Sequence, residues 1–213
     1  MHLNVLYEDN HIIVCVKPKG ILSQADGSDK KDMLTIIKAY IKNKYNKPGD
    51  VYLGLVHRLD INTSGIMVFA RTSKAASRLS LAIKNNQFEK RYIATVEGIL
   101  SNIDYIKLES FIIKNEKERK SIISENGQQA ILYYKALKSY NLDNKEVTDV
   151  EIVLETGRFH QIRAQMASIG HPLYGDTKYG SKASISKESM PLCAYSLKFP
   201  HPTTKEILKF ELE

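Results

Sequence analysis

Strand-like runs outnumber helical ones along this chain, and the two kinds do not alternate; that order constrains the fold more than any single motif. Residues 3–7 and 12–16 read as a strand pair joined by Glu8-Asp9-Asn10-His11. Lys17-Pro18-Lys19-Gly20 then breaks the ladder, because proline has no N–H to donate and glycine permits a sharp bend. Further β-type runs occupy residues 65–70, 92–96, 103–108, 128–140, 147–154, 192–199 and 207–212. Helical spacing is rarer. Residues 32–45 place Met33, Ile36, Ile37, Tyr40 and Ile41 on one side with lysines on the other. Ser73 can cap a helix running to about residue 86, and residues 159–169 carry Ile162, Met166 and Ile169 on one stripe that Gly170 ends. The polar, highly charged residues 110–126 suit an exposed hairpin or flap. Many strands, few helices and no regular β-α repeat predict an α+β fold around a mixed, mostly antiparallel sheet.

With 213 residues the chain is expected to form a single domain over 1–213. Its opening residues carry charges where the apolar core of a signal peptide belongs, and no apolar run is long enough to span a bilayer. Cys15 and Cys193 lie in strand-like segments and read as two buried thiols, which suits a reducing cytoplasm. The net charge of +7 is unevenly placed. Residues 17–91 hold 15 Lys and Arg against 6 Asp and Glu, whereas residues 92–213 hold 16 of each. A one-sided basic field favours a polyanionic partner, most simply nucleic acid, although mild basicity is also common in proteins with no such partner.

Three segments could carry chemistry. In HRLDINTSG, residues 57–65, Asp60 precedes Asn62-Thr63-Ser64-Gly65, a run that makes an Asx-type turn. In an extended stretch Arg58 and Asp60 share a face while Leu59 points to the core. A carboxylate beside a guanidinium stays ionised, as a nucleophile or general base must. In TGRFHQIRAQMASIGHPLYGD, residues 156–176, His160 and Arg163 are three apart and fall on one helix face, with Arg158 at the first turn. That pattern is either a solvated basic helix end or a seat for an anion. In EKRYIATVEG, residues 89–98, Tyr92 follows two bases on a strand, where a tyrosine serves as sheet packing or stacks on a nucleobase. Metal-ligand spacings and glycine-rich phosphate loops are missing. H-R-L-D differs from a kinase catalytic loop by its inserted leucine, and the other kinase motifs are absent.

Taken together, these segments resemble the RluA family of pseudouridine synthases over nearly the whole chain. YEDNHIIVCVKPKGILSQ is similar to the family's opening Lys-Pro motif, HRLDINTSGIMVFARTSKA to its catalytic motif, and KRYIATVEG to its tyrosine motif. TGRFHQIRAQMASIGHPLYGDTKYG is similar to its G-R-x-H-Q-I-R helix and I-G-H-P-x-x-G-D exit, and AYSLKFPHPTTKE to its closing strand. HRLD-x-x-TSG with G-R-x-H-Q-I-R is the specific pair. The resemblance implies the pseudouridine-synthase fold with a central RNA-binding cleft. It also implies an isomerase that cleaves the uridine C–N bond, turns the base and rejoins it through C5, without cofactor or metal. Asp60 would then act at the ribose, Arg58 would fill the gap left by the flipped uridine, Tyr92 would stack on the uracil, and Arg163 would pair with Asp60. His57, Thr63, Lys17, Lys19, Lys90, Arg91, Arg158 and His160 would contact the RNA, the basic ones through phosphates. Expected with this are rRNA or tRNA as partner, a monomer, no membrane and no preceding S4-type domain.

Phe159 stands where the family usually has Thr or Ser, Gln165 where His is frequent, and Cys193 takes a place before the Ala-Tyr pair often occupied by another residue. Phe159 puts the surroundings of Arg158 in question. Two other readings use the same residues: a non-catalytic RNA-binding protein on this fold, and a hydrolase with Asp60 as base that would leave abasic sites.

Overall fold

The computed structural model describes residues 3–183, 185 and 190–213. In chain order its elements are β1 (Val5–Glu8), β2 (Ile12–Lys17), α1 (Met33–Lys44), β3 (Gly54–Leu55), β4 (Ser64–Ala70), α2 (Ser73–Lys84), β5 (Glu89–Glu97) and β6 (Ile106–Asn115). Then follow β7 (Lys120–Ile123), β8 (Gln128–Leu142), β9 (Lys145–Leu154), α3 (Gln161–Ser168), a short 3-10 turn (Thr177–Tyr179), β10 (Leu192–Pro200) and β11 (Ile207–Glu211). The fold is α+β, with a mostly antiparallel sheet. The chain forms two compact units, Met1–Glu89 with Ala194–Glu213, and Lys90–Cys193.

In the first unit Asp9 makes the opening turn. Its Oδ1 accepts the His11 and Ile12 N–H groups, both at 2.7 Å, which fixes where β1 hands over to β2. β2 pairs antiparallel with β4, Ile12 opposite Ala70 through to Lys17 opposite Gly65. This register buries Ile12, Val14, Ile66 and Val68 with Leu79 of α2 and with Leu197 and Phe199 of β10. Both helices start from an extended residue whose side chain takes an orphan N–H. Asp32 accepts from Thr35 N, and Thr72 from Ala75 N. The capping expected of Ser73 therefore falls to Thr72, and Ser73 is the first helical residue. Gly65 has φ +132°, and a Cβ there would collide with the Ala194 backbone of β10. Only glycine lets β4 lie that close.

The second unit carries strands in the order β5-β9-β8-β6-β7, all paired antiparallel. The charged segment expected as a flap is the β6–β7 hairpin, with Lys114, Glu116, Lys117 and Glu118 exposed at its tip. α3 begins at Gln161, not at residue 159, because His160 adopts a left-handed φ of +48° that cannot continue a helix. The expected stripe of Ile162 and Met166 is buried, with Ile169 half-buried, but it is not the only covered face. Gln161, Ile162, Arg163, Ala164, Gln165 and Met166 are all buried, so polar members must find internal partners. Gln165 does so by aiming its amide at the Leu108 and Ala130 carbonyls and the Ser110 hydroxyl. The strand expected at 103–108 starts only at Ile106. Cys15 is buried, and burial pushes its thiol up to about 12; Cys193 is half-buried, and neither forms a disulfide.

Candidate active site

Asp60 sits on a turn held almost wholly through main-chain groups. Thr63 N–H closes on the Asp60 carbonyl at 3.0 Å, so the Asx-type run does make a turn. Leu59 is buried, Arg58 exposed and Asp60 half-buried, which matches the alternation expected of the three. Ser23 fixes the middle residue from both sides: its hydroxyl accepts Leu59 N–H at 3.0 Å and donates to Leu59 C=O at 2.8 Å. Ile61, just past Asp60, is held through its carbonyl, which accepts from Gly20 N–H at 2.9 Å and from Lys17 Nζ at 3.1 Å.

Lys17 is fully buried and spends its remaining donors on the Pro18 and Ile21 carbonyls, at 3.0 and 2.7 Å. Burial pulls its ammonium down to about 8, and the negative charge of Asp60 works in the opposite sense. Lys17 was expected to touch RNA. Its place inside the fold, with three carbonyls as acceptors, makes it instead the anchor of the Asp60 turn. Thr63 is likewise buried. His57 turns inward, its Nε2 accepting Val68 N–H at 3.0 Å, so the ring carries its proton on Nδ1. Lys19 is half-buried in the loop between Lys17 and the turn.

The second unit gathers the other predicted residues. Arg163, near the start of α3, is buried and forms a two-pronged pair with Asp176, Nε to Oδ2 at 2.6 Å and Nη2 to Oδ1 at 2.8 Å. Its Nη1 reaches His160 Nε2 at 2.8 Å, and its guanidinium lies over the Tyr179 ring at 4.8 Å. Tyr92 is buried on β5 opposite Ile152 of β9. Of the bases before it, Arg91 lies 3.3 Å from the buried Glu151 carboxylate, which also takes Lys135 at 2.9 Å and the Tyr105 hydroxyl at 2.6 Å. Burial draws the Lys90 ammonium below its usual range. Arg158 is exposed, its Nε bound to the Gln129 carbonyl at 3.0 Å. With Phe159, Lys114 and Gln128 it lines an open cavity of about 490 Å³.

The model of the RNA pseudouridylate synthase family matches residues 11–168. The chain belongs to this family. It is 35% identical to an uncharacterized RNA pseudouridine synthase of Aquifex aeolicus, an alignment covering 99% of this chain and 69% of that protein. It is also 35% identical to ribosomal large subunit pseudouridine synthase D of Vibrio cholerae, over 98% of this chain and 66% of the other. The solved structure of human RNA pseudouridylate synthase domain containing 1 shares the fold, with a TM-score of 0.77 at 22% identity, covering 100% of this chain and 83% of that one. The enzyme is thus an isomerase that makes pseudouridine in RNA, as the resemblance implied.

Four residues of these networks have no role that the sequence alone discloses. They are Ser23, Ser121, Asp176 and Tyr179. Asp176 and Tyr179 stand inside the quoted G-D-x-x-Y-G run, yet nothing in linear spacing connects them to Arg163. The clue available was chemical: a buried guanidinium needs a carboxylate, and Asp176 is the first acid after Arg163 in the chain.

Proposed function

We propose that this enzyme converts uridines of ribosomal large-subunit RNA to pseudouridine, with Asp60 acting at the ribose of the flipped nucleotide. The observation that carries this reading is the Asp60 turn. A carboxylate on a surface turn would need none of the buried ammonium, the two-sided serine clamp or the glycine pressed on β10 that fix this one. Such fixing is what a reacting group requires, since misplacement by an ångström forfeits much of the rate. Arg58, exposed beside it, is suited to occupy the space the uridine vacates. Tyr92 and Arg163 take the roles in the reaction that the resemblance implies. The name of the Vibrio cholerae relative supports rRNA as the substrate, and the basic residues from 17 to 91 support a polyanion. Action as a cytoplasmic monomer fits this reading, and no helix of the described residues is long and apolar enough to cross a membrane.

Asp60→Asn tests the proposal. Pseudouridine formation on large-subunit rRNA should vanish, while RNA affinity and melting temperature stay near the wild type. Retained activity would remove Asp60 from the reaction. Mapping pseudouridine in total RNA from cells with and without the protein identifies the target, and abasic sites in its place would favour the hydrolase. RNA affinity should also fall steeply with added salt, and a flat response would count against an RNA substrate.

A further inference from the structure

His160 was expected to touch RNA, but its ring is committed inward. Arg163 Nη1 carries only hydrogens, so at 2.8 Å from His160 Nε2 it must donate, and Nε2 must accept. The ring is then neutral with its proton on Nδ1, which lies 3.0 Å from the Tyr179 hydroxyl oxygen. That oxygen also accepts the Ser121 N–H at 2.7 Å. With Asp176 on Nε and Nη2 and His160 on Nη1, three of the five guanidinium N–H donors are assigned, and the Tyr179 ring lies below. The backbone agrees. His160 holds φ +48° with no side-chain cap bond on α3, a conformation that costs energy in a non-glycine residue and persists only where the surroundings impose it. Stacking on Phe159, with ring centroids 3.8 Å apart, adds to that constraint.

Ser121 lies on β7, so the chain of bonds ends on the charged hairpin. The hairpin is tied there again by Ser121 Oγ on the Phe159 carbonyl, and by Lys178 Nζ on the Glu118 and Arg119 carbonyls, both at 3.1 Å. We propose that His160 and Tyr179 are positioning residues, which aim Arg163 through the chain Ser121–Tyr179–His160–Arg163 and make the β6–β7 hairpin its anchor. The proposal rests on the catalytic role of Arg163 that the resemblance implies.

The experiment compares His160→Asn, His160→Gln and Tyr179→Phe with wild type. A glutamine amide oxygen can stand where Nε2 stands and still accept from Arg163; the shorter asparagine cannot. Turnover at saturating RNA should fall by about tenfold to a hundredfold in His160→Asn and Tyr179→Phe. RNA affinity should stay within about twofold, because no phosphate contact is removed. His160→Gln keeps the acceptor for Arg163 but has no Nδ1–H for Tyr179, so it should recover turnover only to the level of Tyr179→Phe. In the wild type, ¹⁵N–¹H correlation of the imidazole should show the Nδ1–H form. Loss of affinity with unchanged turnover would make His160 an RNA contact, and an Nε2–H ring would break the chain of donors; either overturns the proposal. Should His160→Asn fail to fold, Tyr179→Phe and the ring spectrum decide. Active wild type with unimpaired variants sinks this proposal alone, whereas wild type inactive on every RNA offered sinks the catalytic reading with it.

Discussion

The Asp60 turn and the start of α3 solve one problem, holding a charged side chain still, by opposite means. Asp60 is placed by bonds to the main chain around it: the Thr63 N–H closes its turn, the Ser23 hydroxyl grips Leu59 from both sides, and the Ile61 carbonyl is caught by the Gly20 N–H and the Lys17 ammonium. Arg163 is placed by side chains, Asp176 on one edge and His160 on the other. The buried cations differ to match. Lys17 is surrounded by neutral carbonyls and pulled down to about 8, whereas Arg163 lies against a carboxylate and keeps its charge at any working pH. The first cradle grips backbone atoms beside Asp60, through the Ser23 and Lys17 side chains as well as N–H groups; the second grips the charged side chain itself.

Breaking the Arg163 cradle should therefore cost most. Asp176→Ala leaves a buried guanidinium without its carboxylate, and denaturant titration should show a loss of about 3–5 kcal/mol. A loss below about 1 kcal/mol would mean that the pair is not holding α3. The Lys17 cradle should answer to pH instead. Its folded pKa lies below its unfolded one, so the unfolded chain binds the extra proton between about 8 and the usual lysine value, and stability rises with pH across that window. The gain is about 3 kcal/mol, absent below pH 8 and complete near pH 10.5. Turnover should move the other way from pH 7 to 9, because a neutral amine has two N–H groups for three carbonyls and no charge to set beside Asp60. Lys17→Met should erase the stability gain. At pH 7 it should stay within about 1 kcal/mol of wild type, since relief from burying a charge offsets the orphaned carbonyls, while activity drops. Smallest is Ser23→Ala, about 1–2 kcal/mol for two lost hydrogen bonds in the turn, readable in a melting curve.

The same contrast explains what could be read in the sequence. The strands were legible because alternation and turn residues are local, and the Asp60 turn because Asn62 to Gly65 adjoin it. Leu59 inward with Arg58 outward followed from a two-residue period. The α3 end was not legible. Its late start depends on the left-handed His160, which Arg163 and Tyr179 enforce from outside the local pattern. Lys17 misled for a related reason. A lysine in a basic stretch looks like a surface cation, and only the three converging carbonyls disclose that it is interior. Ser23 gave no signal, because its partner Leu59 is remote in sequence and is bound through its backbone.

Gly65 carries a consequence for the order of assembly. Its close fit is to Ala194, which belongs to the same compact unit but is made far later in the chain. β2 and β4 can pair as soon as the first seventy residues emerge, yet the strand that closes on Gly65 is still unmade. Everything from Lys90 to Cys193 must be synthesised before that strand arrives. Such long-range closure is slow and comes late. The fit of β10 on Gly65 is thus added near the end of synthesis, long after Lys17, Gly20, Ser23 and Thr63, the groups that set the Asp60 turn, have been made.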